Sequence, residues 1–136
     1  MTERCEVLVE GSGGAAPALI LSEPISFWGG IDPSSGDVIN PRHPEHGISI
    51  AGKVLFLPGT IGSSSASAVL LELVHAGKAP AALVLHEPDA ILLIGLICAR
   101  EMEWTTPPAY KLDRPRHSSF AGAQVQFNTE GELSKT

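Results

Sequence analysis

One short stretch constrains the fold of this chain more than any other. An apolar segment, residues 53–57, runs into a turn rich in glycine and serine, residues 58–65, and a helical pattern follows over residues 66–76. A strand that enters a helix through such a turn leaves several backbone N–H groups at the helix start without intrahelical partners. These donors and the helix dipole favour an anion or a developing negative charge. The stretch therefore predicts an α/β unit with a candidate anion site at the turn.

The candidate site residues in this turn are Gly62, Ser63, Ser64 and Ser65. One hydroxyl is expected to cap the helix, and the others are free to face a ligand; the sequence does not say which is which. The turn lacks the Lys of a Walker-type phosphate loop, and Ala66 replaces the last glycine of a nucleophile elbow. A serine without a basic neighbour is weakly reactive, so a catalytic role requires a further activating group. The alternative is a turn that only caps the helix.

The composition indicates one globular domain over residues 1–136, since 43% of the residues are hydrophobic and 18% are charged. Aromatic residues make up only 5%, whereas 14 glycines and 11 prolines are present. We therefore expect an aliphatic core built from short elements and tight turns. The net charge of -6 argues against nucleic acid or an anionic membrane as a partner.

The two cysteines, Cys5 and Cys98, form no C-x-x-C motif. Two thiols cannot by themselves hold an iron–sulfur cluster or a zinc ion, which need three or four ligands. We expect free thiols in a reducing compartment, with Cys98 as a small core residue on a helix. The start of the chain has no apolar signal segment, and the apolar run at residues 91–99 is too short to span a bilayer. These features favour a cytoplasmic protein, or one of an organelle matrix, without a membrane partner.

Strands and helices alternate in the middle of the chain, which predicts an α/β or β/β/α single domain. The helix that follows the turn carries its apolar residues at three- and four-residue spacing and ends near Gly77. A second helix, from Ala90 to about Glu101, is apolar nearly all round, so it is either buried on two sides or covered by another subunit. Strands are predicted at residues 5–10, 18–22, 38–39, 81–86, 107–112 and 123–128, and a pair of strands that turns at Gly52 is predicted over residues 48–57. Residues 129–136 are predicted to be a polar tail.

Two irregular loops carry further candidate residues. The first holds Phe27, Trp28, Gly29 and Gly30, where large rings stand beside backbone that can approach a partner closely. We interpret it as an interface or substrate loop, or else as a surface loop whose aromatic side chains are buried in the core.

The second loop, residues 40–47, holds Arg42, His43, Glu45 and His46. A metal site is conceivable, but the two histidines lie three residues apart in a loop broken by prolines, so a polar loop is favoured and no metal is assigned. Arg42 can bind a carboxylate or phosphate through its planar guanidinium, and Arg42 and His43 join the candidate interface or substrate residues.

The chain carries an ordered series of motifs: EPISFWGGIDP at 23–33, RHPEHG at 42–47, IAGKVL at 50–55, GSSS at 62–65, APAA at 79–82 and EPD at 87–89. Together they resemble the small subunit, or C-terminal swivel domain, of the aconitase X dehydratases. The resemblance covers about residues 8–103. It implies a single swivelling β/β/α domain, similar to the mobile domain of aconitase.

The resemblance also implies a function. Such a domain pairs with a large subunit that carries an iron–sulfur cluster on its own cysteines, and the pair eliminates water from a hydroxylated carboxylate. Bacterial members act on cis-3-hydroxy-L-proline and archaeal members on phosphomevalonate. The proton acceptor proposed for the family aligns with Ser63, whose alkoxide would need the amides at the helix start and an Arg or Lys of the large subunit. The chain alone is expected to be inactive.

Departures from the family pattern favour the hydroxyproline substrate. Gly59 and Ile61 stand where many relatives carry basic residues, and Trp28 stands where the phosphomevalonate forms tend to have an aliphatic residue. Phosphomevalonate dehydration remains the alternative. A stand-alone phosphohistidine module would need a histidine after the glycine-rich turn at Gly29–Gly30, where none follows. A non-catalytic binding or structural module also remains open, should Ser63 not face the partner.

Overall fold

The computed structural model describes residues 2–62 and 65–136. Its strands are β1 (Thr2–Arg4), β2 (Glu6–Val9), β3 (Gly14–Ile20), β4 (Val54–Leu57), β5 (Ala82–Leu85), β6 (Ala109–Lys111), β7 (Gln124–Phe127) and β8 (Glu132–Lys135). Its helices are α1 (Phe27–Gly30), α2 (Ser65–His75), α3 (Ala90–Glu101) and α4 (Arg114–His117), and a 3₁₀ turn (Ser118–Phe120) follows α4. The first helix is a single turn, since Trp28 and Gly29 have non-helical backbone angles.

The described strands form one sheet in the order β1-β8-β7-β3-β4-β5-β6-β2. Strand β3 belongs to both halves, because its first residues pair antiparallel with β7 and its last residues pair parallel with β4. Strands β1 and β2 lie at opposite ends of this order but are separated only by Cys5. The sheet therefore curls until its two ends meet in consecutive residues of the chain, and the backbone N–H of Cys5 donates to the Gly131 carbonyl at 2.7 Å there.

The parallel strands bury both of their faces. Alternate residues of β4 and β5 point to opposite sides of the sheet, as the period of two in a strand requires. One side, with Leu55 and Leu83, packs against α2 and α3. The other side, with Phe56 and Val84, packs in a second cluster with Tyr110 of β6, Phe120 of the 3₁₀ turn and Phe127 of the antiparallel strand β7. Two layers of strands and one layer of helices result, which confirms the predicted β/β/α arrangement.

Helix α2 follows the predicted pattern closely. Its apolar residues face the sheet, and those that are buried are Ala66, Val69, Leu70, Leu73 and Val74. Beyond its end, Gly77 adopts a left-handed φ of 72°, which the missing Cβ permits. Helix α3 begins where the sequence predicts, because the Asp89 carboxylate accepts hydrogen bonds from the N–H groups of Ile91 and Leu92.

Several predictions about the chain ends are wrong. Residues 132–135 are a strand rather than a polar tail, because one buried side chain, Leu133, and the register against β7 hold them in the sheet. Strand β1 and helix α4 were not predicted, and β3 begins at Gly14 rather than at residue 18. Between residues 38 and 50 only isolated bridges form, so of the strand pair predicted over 48–57 only the second strand, β4, is present.

Cys98 lies on α3, as predicted, but it is exposed and not a core residue. The core-facing line of this helix is formed by Leu92, Leu96 and Ala99, which are fully buried. A residue directly before Ala99 is rotated by about 100° around the helix axis, which turns the Cys98 side chain away from the sheet.

Across residues 2–62 and 65–136, none of the helices combines the length and the apolar character needed to cross a membrane.

Candidate functional site

The candidate site lies at the edge of the sheet where the parallel strands end. Strands β3, β4, β5 and β6 are parallel neighbours, so their carboxyl ends meet at this one edge. Helices α2 and α3 both start there, directly after the turns that leave β4 and β5. In α/β sheets this edge is where ligands bind, since loops and helix N-termini converge on it. We call it the carboxyl edge.

The turn after β4 is held by the segment that follows β3. The backbone N–H of Ile61 donates to the Ile25 carbonyl at 3.0 Å, and the N–H of Ile25 donates to the Gly59 carbonyl at 3.4 Å. Gly62 ends this held part of the turn, is exposed, and has a φ of 104° that favours glycine. The turn is thus a fixed backbone feature up to the residue that precedes the serines.

Ser63 and Ser64 lie outside the described residues, so the roles predicted for them stay predictions. Ser65 is the first residue of α2 and is half-buried. The described parts on either side, Gly62 and Ser65, both lie at the carboxyl edge. The described neighbours of Ser63 and Ser64 are thus the end of the hydrogen-bonded turn and the start of an eleven-residue helix.

The predicted aromatic loop divides between core and solvent. Phe27 is fully buried, whereas Trp28 is 67% exposed. Gly29 has a φ of 80° and no described atom within 4 Å of an added Cβ, and Gly30 is buried against Ile25. The Ser26 hydroxyl donates to the Trp28 carbonyl at 2.8 Å and lies 3.4 Å from where a Cβ of Gly62 would stand. Phe27 anchors the loop in the core, and Trp28 presents its ring to solvent. The loop lies beside Gly62, which belongs to the turn at residues 58–65; we call this turn the serine turn.

The loop at residues 40–47 is fastened to the turn after β3. His43 is 6% exposed; its Nδ1 accepts from the N–H of Glu45 at 3.1 Å, so its Nε2 donates to the Glu23 carbonyl at 3.1 Å. The Glu45 carboxylate accepts from the backbone N–H of Ser22 at 2.8 Å and from its hydroxyl. Both ring nitrogens of His43 are thus engaged by the backbone of this chain. Arg42, by contrast, is exposed.

Other residues at the carboxyl edge were not singled out from the sequence. The N–H of Arg114 donates to His86 Nδ1 at 2.9 Å, and its guanidinium donates to the Ser22 carbonyl at 2.7 Å. The Thr60 hydroxyl donates to the Asp89 carboxylate. A cleft of about 390 Å³ lies between the ends of β4 and β5, and Thr60, His86 and Asp89 line it. The signals in the sequence were position, since each of these residues stands at or after the end of a predicted strand, and for Asp89 the EPD motif at 87–89.

A larger cleft, of about 1070 Å³, lies elsewhere and does not belong to this site. Its lining includes Gly13, Ala81 and Pro108, which stand directly before strands β3, β5 and β6. It therefore opens at the edge where the parallel strands begin, away from the starts of α2 and α3.

Comparison with known proteins identifies the family. A sequence model of the aconitase X swivel domain matches residues 2–132, nearly the whole chain. The chain belongs to the aconitase X swivel-domain family. The resemblance seen in the ordered motifs is thereby confirmed.

Characterised relatives of the swivel domain carry two different names. A cis-3-hydroxy-L-proline dehydratase of Pseudomonas aeruginosa is 48% identical over 91 residues, which are 65% of the swivel domain and 16% of that protein's length. A phosphomevalonate dehydratase small subunit of Methanothermobacter thermautotrophicus is 43% identical over 95 residues, which are 70% of the swivel domain and 72% of that subunit. The swivel domain thus corresponds to a small part of the first protein and to most of the second.

Solved structures show the same fold. The crystal structure of holo-form aconitase X from Thermococcus kodakaraensis superposes with a TM-score of 0.87 at 27% identity, and the match covers 100% of the swivel domain and 98% of that chain. The closed sheet and the carboxyl edge therefore belong to an experimentally observed architecture.

The described residues of the swivel domain do not fit an iron–sulfur cluster. Across residues 2–62 and 65–136, no three His, Cys, Asp or Glu side chains come together as metal ligands. Cys5 is buried among the strands, and burial, with a smaller effect of the Glu3 carboxylate, raises the pKa of its thiol to about 12. Cys98 is exposed on α3. The two thiols therefore lie on different sides of the sheet.

Proposed function

We propose that this chain is the small swivel subunit of an aconitase X-type dehydratase, which eliminates water from a hydroxylated carboxylate. The observation that carries the proposal is the serine turn, which leads from the carboxyl end of a buried parallel strand into the start of α2. Family membership supplies the reaction class, and the carboxyl edge supplies a place for it.

In this proposal Ser63 accepts the proton that leaves the carbon next to the carboxylate. A serine hydroxyl has a pKa far too high to act as a base unaided, so its alkoxide must be stabilised. The N–H groups at the start of α2 contribute, since they point toward the turn and carry the positive end of the helix dipole. Gly62, Ser64 and Ser65 shape the same anion pocket, and a cation of the large subunit would complete it.

The large subunit is the proposed partner, and the iron–sulfur cluster is assigned to it. When bound there, the cluster supplies a Lewis acid for the leaving hydroxyl group. The swivel subunit contributes the base and the backbone donors from the other face. Such a division of labour makes each subunit inactive alone.

We favour cis-3-hydroxy-L-proline as the substrate. Gly59 and Ile61, in the turn that precedes the serines, bring no positive charge to it, and Ile61 is exposed there. A phosphorylated substrate would be better served by cations at these positions. The exposed Trp28 adds an apolar ring beside the turn rather than a phosphate ligand.

Phosphomevalonate is the second candidate because of one specific observation. A relative from Methanothermobacter thermautotrophicus, 43% identical over 95 residues, is named a phosphomevalonate dehydratase small subunit. Arg42 and Arg114, both exposed, are the cations that a phosphate could use at this face.

Reconstitution with the family's large subunit from the same organism tests the proposal. We expect the two chains to copurify and the pair, but neither chain alone, to dehydrate cis-3-hydroxy-L-proline. We expect its kcat/KM to exceed that for phosphomevalonate by at least about 100-fold, since polar groups built for one substrate discriminate against the other. The reverse preference would move the assignment to phosphomevalonate, and a pair that associates but dehydrates neither compound would contradict the proposed function.

A further inference from the structure

We infer that Thr60 and Asp89 form a positioning pair that holds the serine turn against the start of α3. The inference rests on the proposed function, because it concerns how the proposed base is placed. Neither residue is assigned a contact with substrate. Both act through the backbone that leads to Gly62.

Asp89 makes two different connections with its two carboxylate oxygens. Oδ1 accepts from the N–H groups of Ile91 and Leu92, at 3.1 and 3.2 Å, and so caps α3. Oδ2 accepts from the Thr60 hydroxyl, which comes from a turn 29 residues earlier in the chain. Hydrogen bonds to a carboxylate are stronger than those between neutral groups. The first turn of α3 is thereby tied to the turn after β4.

The opposite side of the same turn is held by backbone hydrogen bonds. Ile61 donates to the Ile25 carbonyl, Ile25 donates to Gly59, and Ile25 and Thr60 form an isolated parallel bridge. Residue 60 therefore stands between two anchors: the backbone of Ile25 on one side and the carboxylate of Asp89 on the other. Gly62 follows two residues later in the chain and directly precedes the serines.

Loss of the Thr60 hydroxyl would release only one of these anchors. Asp89 would still cap α3 through Oδ1, and the backbone bonds to Ile25 would remain. The turn could then shift relative to the starts of α2 and α3. Since a displacement of about 1 Å can cost about 100-fold in rate, such a shift should affect turnover much more than substrate binding.

The test compares Thr60→Val with Thr60→Ser in the assembled complex. Valine keeps the shape and removes the hydroxyl, whereas serine keeps the hydroxyl. We expect kcat to fall by about 10- to 100-fold in Thr60→Val with KM changed by less than about threefold, and to stay within about threefold of wild type in Thr60→Ser. A role limited to folding would instead lower the yield of complex and leave kcat per complex unchanged.

A second readout does not depend on activity. Amide hydrogen exchange of the complex should show Ile61 exchanging about tenfold faster in Thr60→Val, with the β5 residue Val84 unchanged, because only the turn loses an anchor. If both kcat and Ile61 exchange match wild type, or if Thr60→Ser is as impaired as Thr60→Val, the positioning pair is refuted. A wild-type complex without dehydratase activity would refute the proposed function, while the exchange comparison would still decide whether Thr60 and Asp89 hold the turn.

Discussion

His117 is buried in an aromatic environment on the strand side of the core. It is 2% exposed, its Nε2 donates to the Leu112 carbonyl at 2.7 Å, and its Nδ1 has no partner in the described part of the chain. The Phe56 ring meets it edge-on, with ring centres 5.4 Å apart. Burial lowers the pKa of His117, because the charged imidazolium would lose its hydration. The folded state therefore favours the neutral form of this histidine more than the unfolded state does.

We predict that acidification destabilises the domain through His117. Because its pKa is lower in the folded state than in the unfolded state, its contribution is complete above the unfolded pKa of about 6.5 and is lost as the pH falls below it. Between pH 7 and pH 5, the free energy of unfolding should fall as the pH is lowered, and this one group adds at most about 1.4 kcal/mol per pH unit to the slope. Urea unfolding of the purified chain at several pH values measures that slope.

The variant for this prediction is His117→Gln, which keeps a donor for the Leu112 carbonyl and cannot titrate. Its slope between pH 7 and pH 5 should be shallower than that of the wild type. His46→Gln, which removes an exposed imidazole, is the matched control. Equal slopes in the wild type and His117→Gln would show that this histidine does not govern acid stability.

Local patterns predicted those features whose causes lie within a few residues. The apolar spacing placed α2, the left-handed Gly77 ended it, and Asp89 began α3. Features held by distant partners could not be read in this way. Leu133 holds β8 only because Phe127 lies opposite it, and the hydroxyl of Thr60 finds its acceptor 29 residues away. The sequence therefore located the candidate turn but not the side chains that fix it.

Helices α2 and α3 approach each other closely at Gly95. A Cβ added there would lie 3.0 Å from the Ser67 carbonyl oxygen and 3.2 Å from the Ser67 Cα, both in the first turn of α2. Backbone atoms cannot give way as the end of a flexible side chain can. The missing side chain at Gly95 therefore sets the distance between α3 and the part of α2 that follows the serines.

We predict that Gly95→Ala destabilises the domain although alanine is the better helix former. The gain in helix propensity is about 1 kcal/mol, and overpacking against backbone costs about 1–3 kcal/mol, so a net loss of about 1 kcal/mol is expected. Chemical denaturation measures the loss. Gly59→Ala is the matched control, because its added Cβ would lie 3.9 Å from Pro24, and its stability should remain within about 0.5 kcal/mol of wild type. A Gly95→Ala protein more stable than wild type would show that the helices are not in tight contact there.

The domain presents large apolar side chains to solvent, as expected of a subunit that needs a partner. Trp28 and Ile61 are exposed at the carboxyl edge, and Ile94 and Ile97 are exposed on the outer side of α3. The prediction that α3 is buried on two sides is wrong for the isolated chain, because its outer side is exposed, and cover by another subunit stays a prediction. For the proposed reaction, the carboxyl edge is the face that must meet the large subunit, because only there do the serine turn and the starts of α2 and α3 converge.

The turnover of the complex reconstituted with Ser63→Ala tests the role of Ser63 as the proton acceptor. A proton acceptor that touches the substrate should lower kcat by about 1,000-fold or more when it is removed, while association of the subunits is unchanged. The matched control is Ser12→Ala, which alters an exposed serine between β2 and β3. The complex with Ser12→Ala should have the kcat of the wild type, which shows that loss of a serine hydroxyl elsewhere does not lower turnover. Loss of turnover in an intact Ser63→Ala complex is the predicted result, and turnover near the wild-type rate would contradict the assignment of Ser63 as the base.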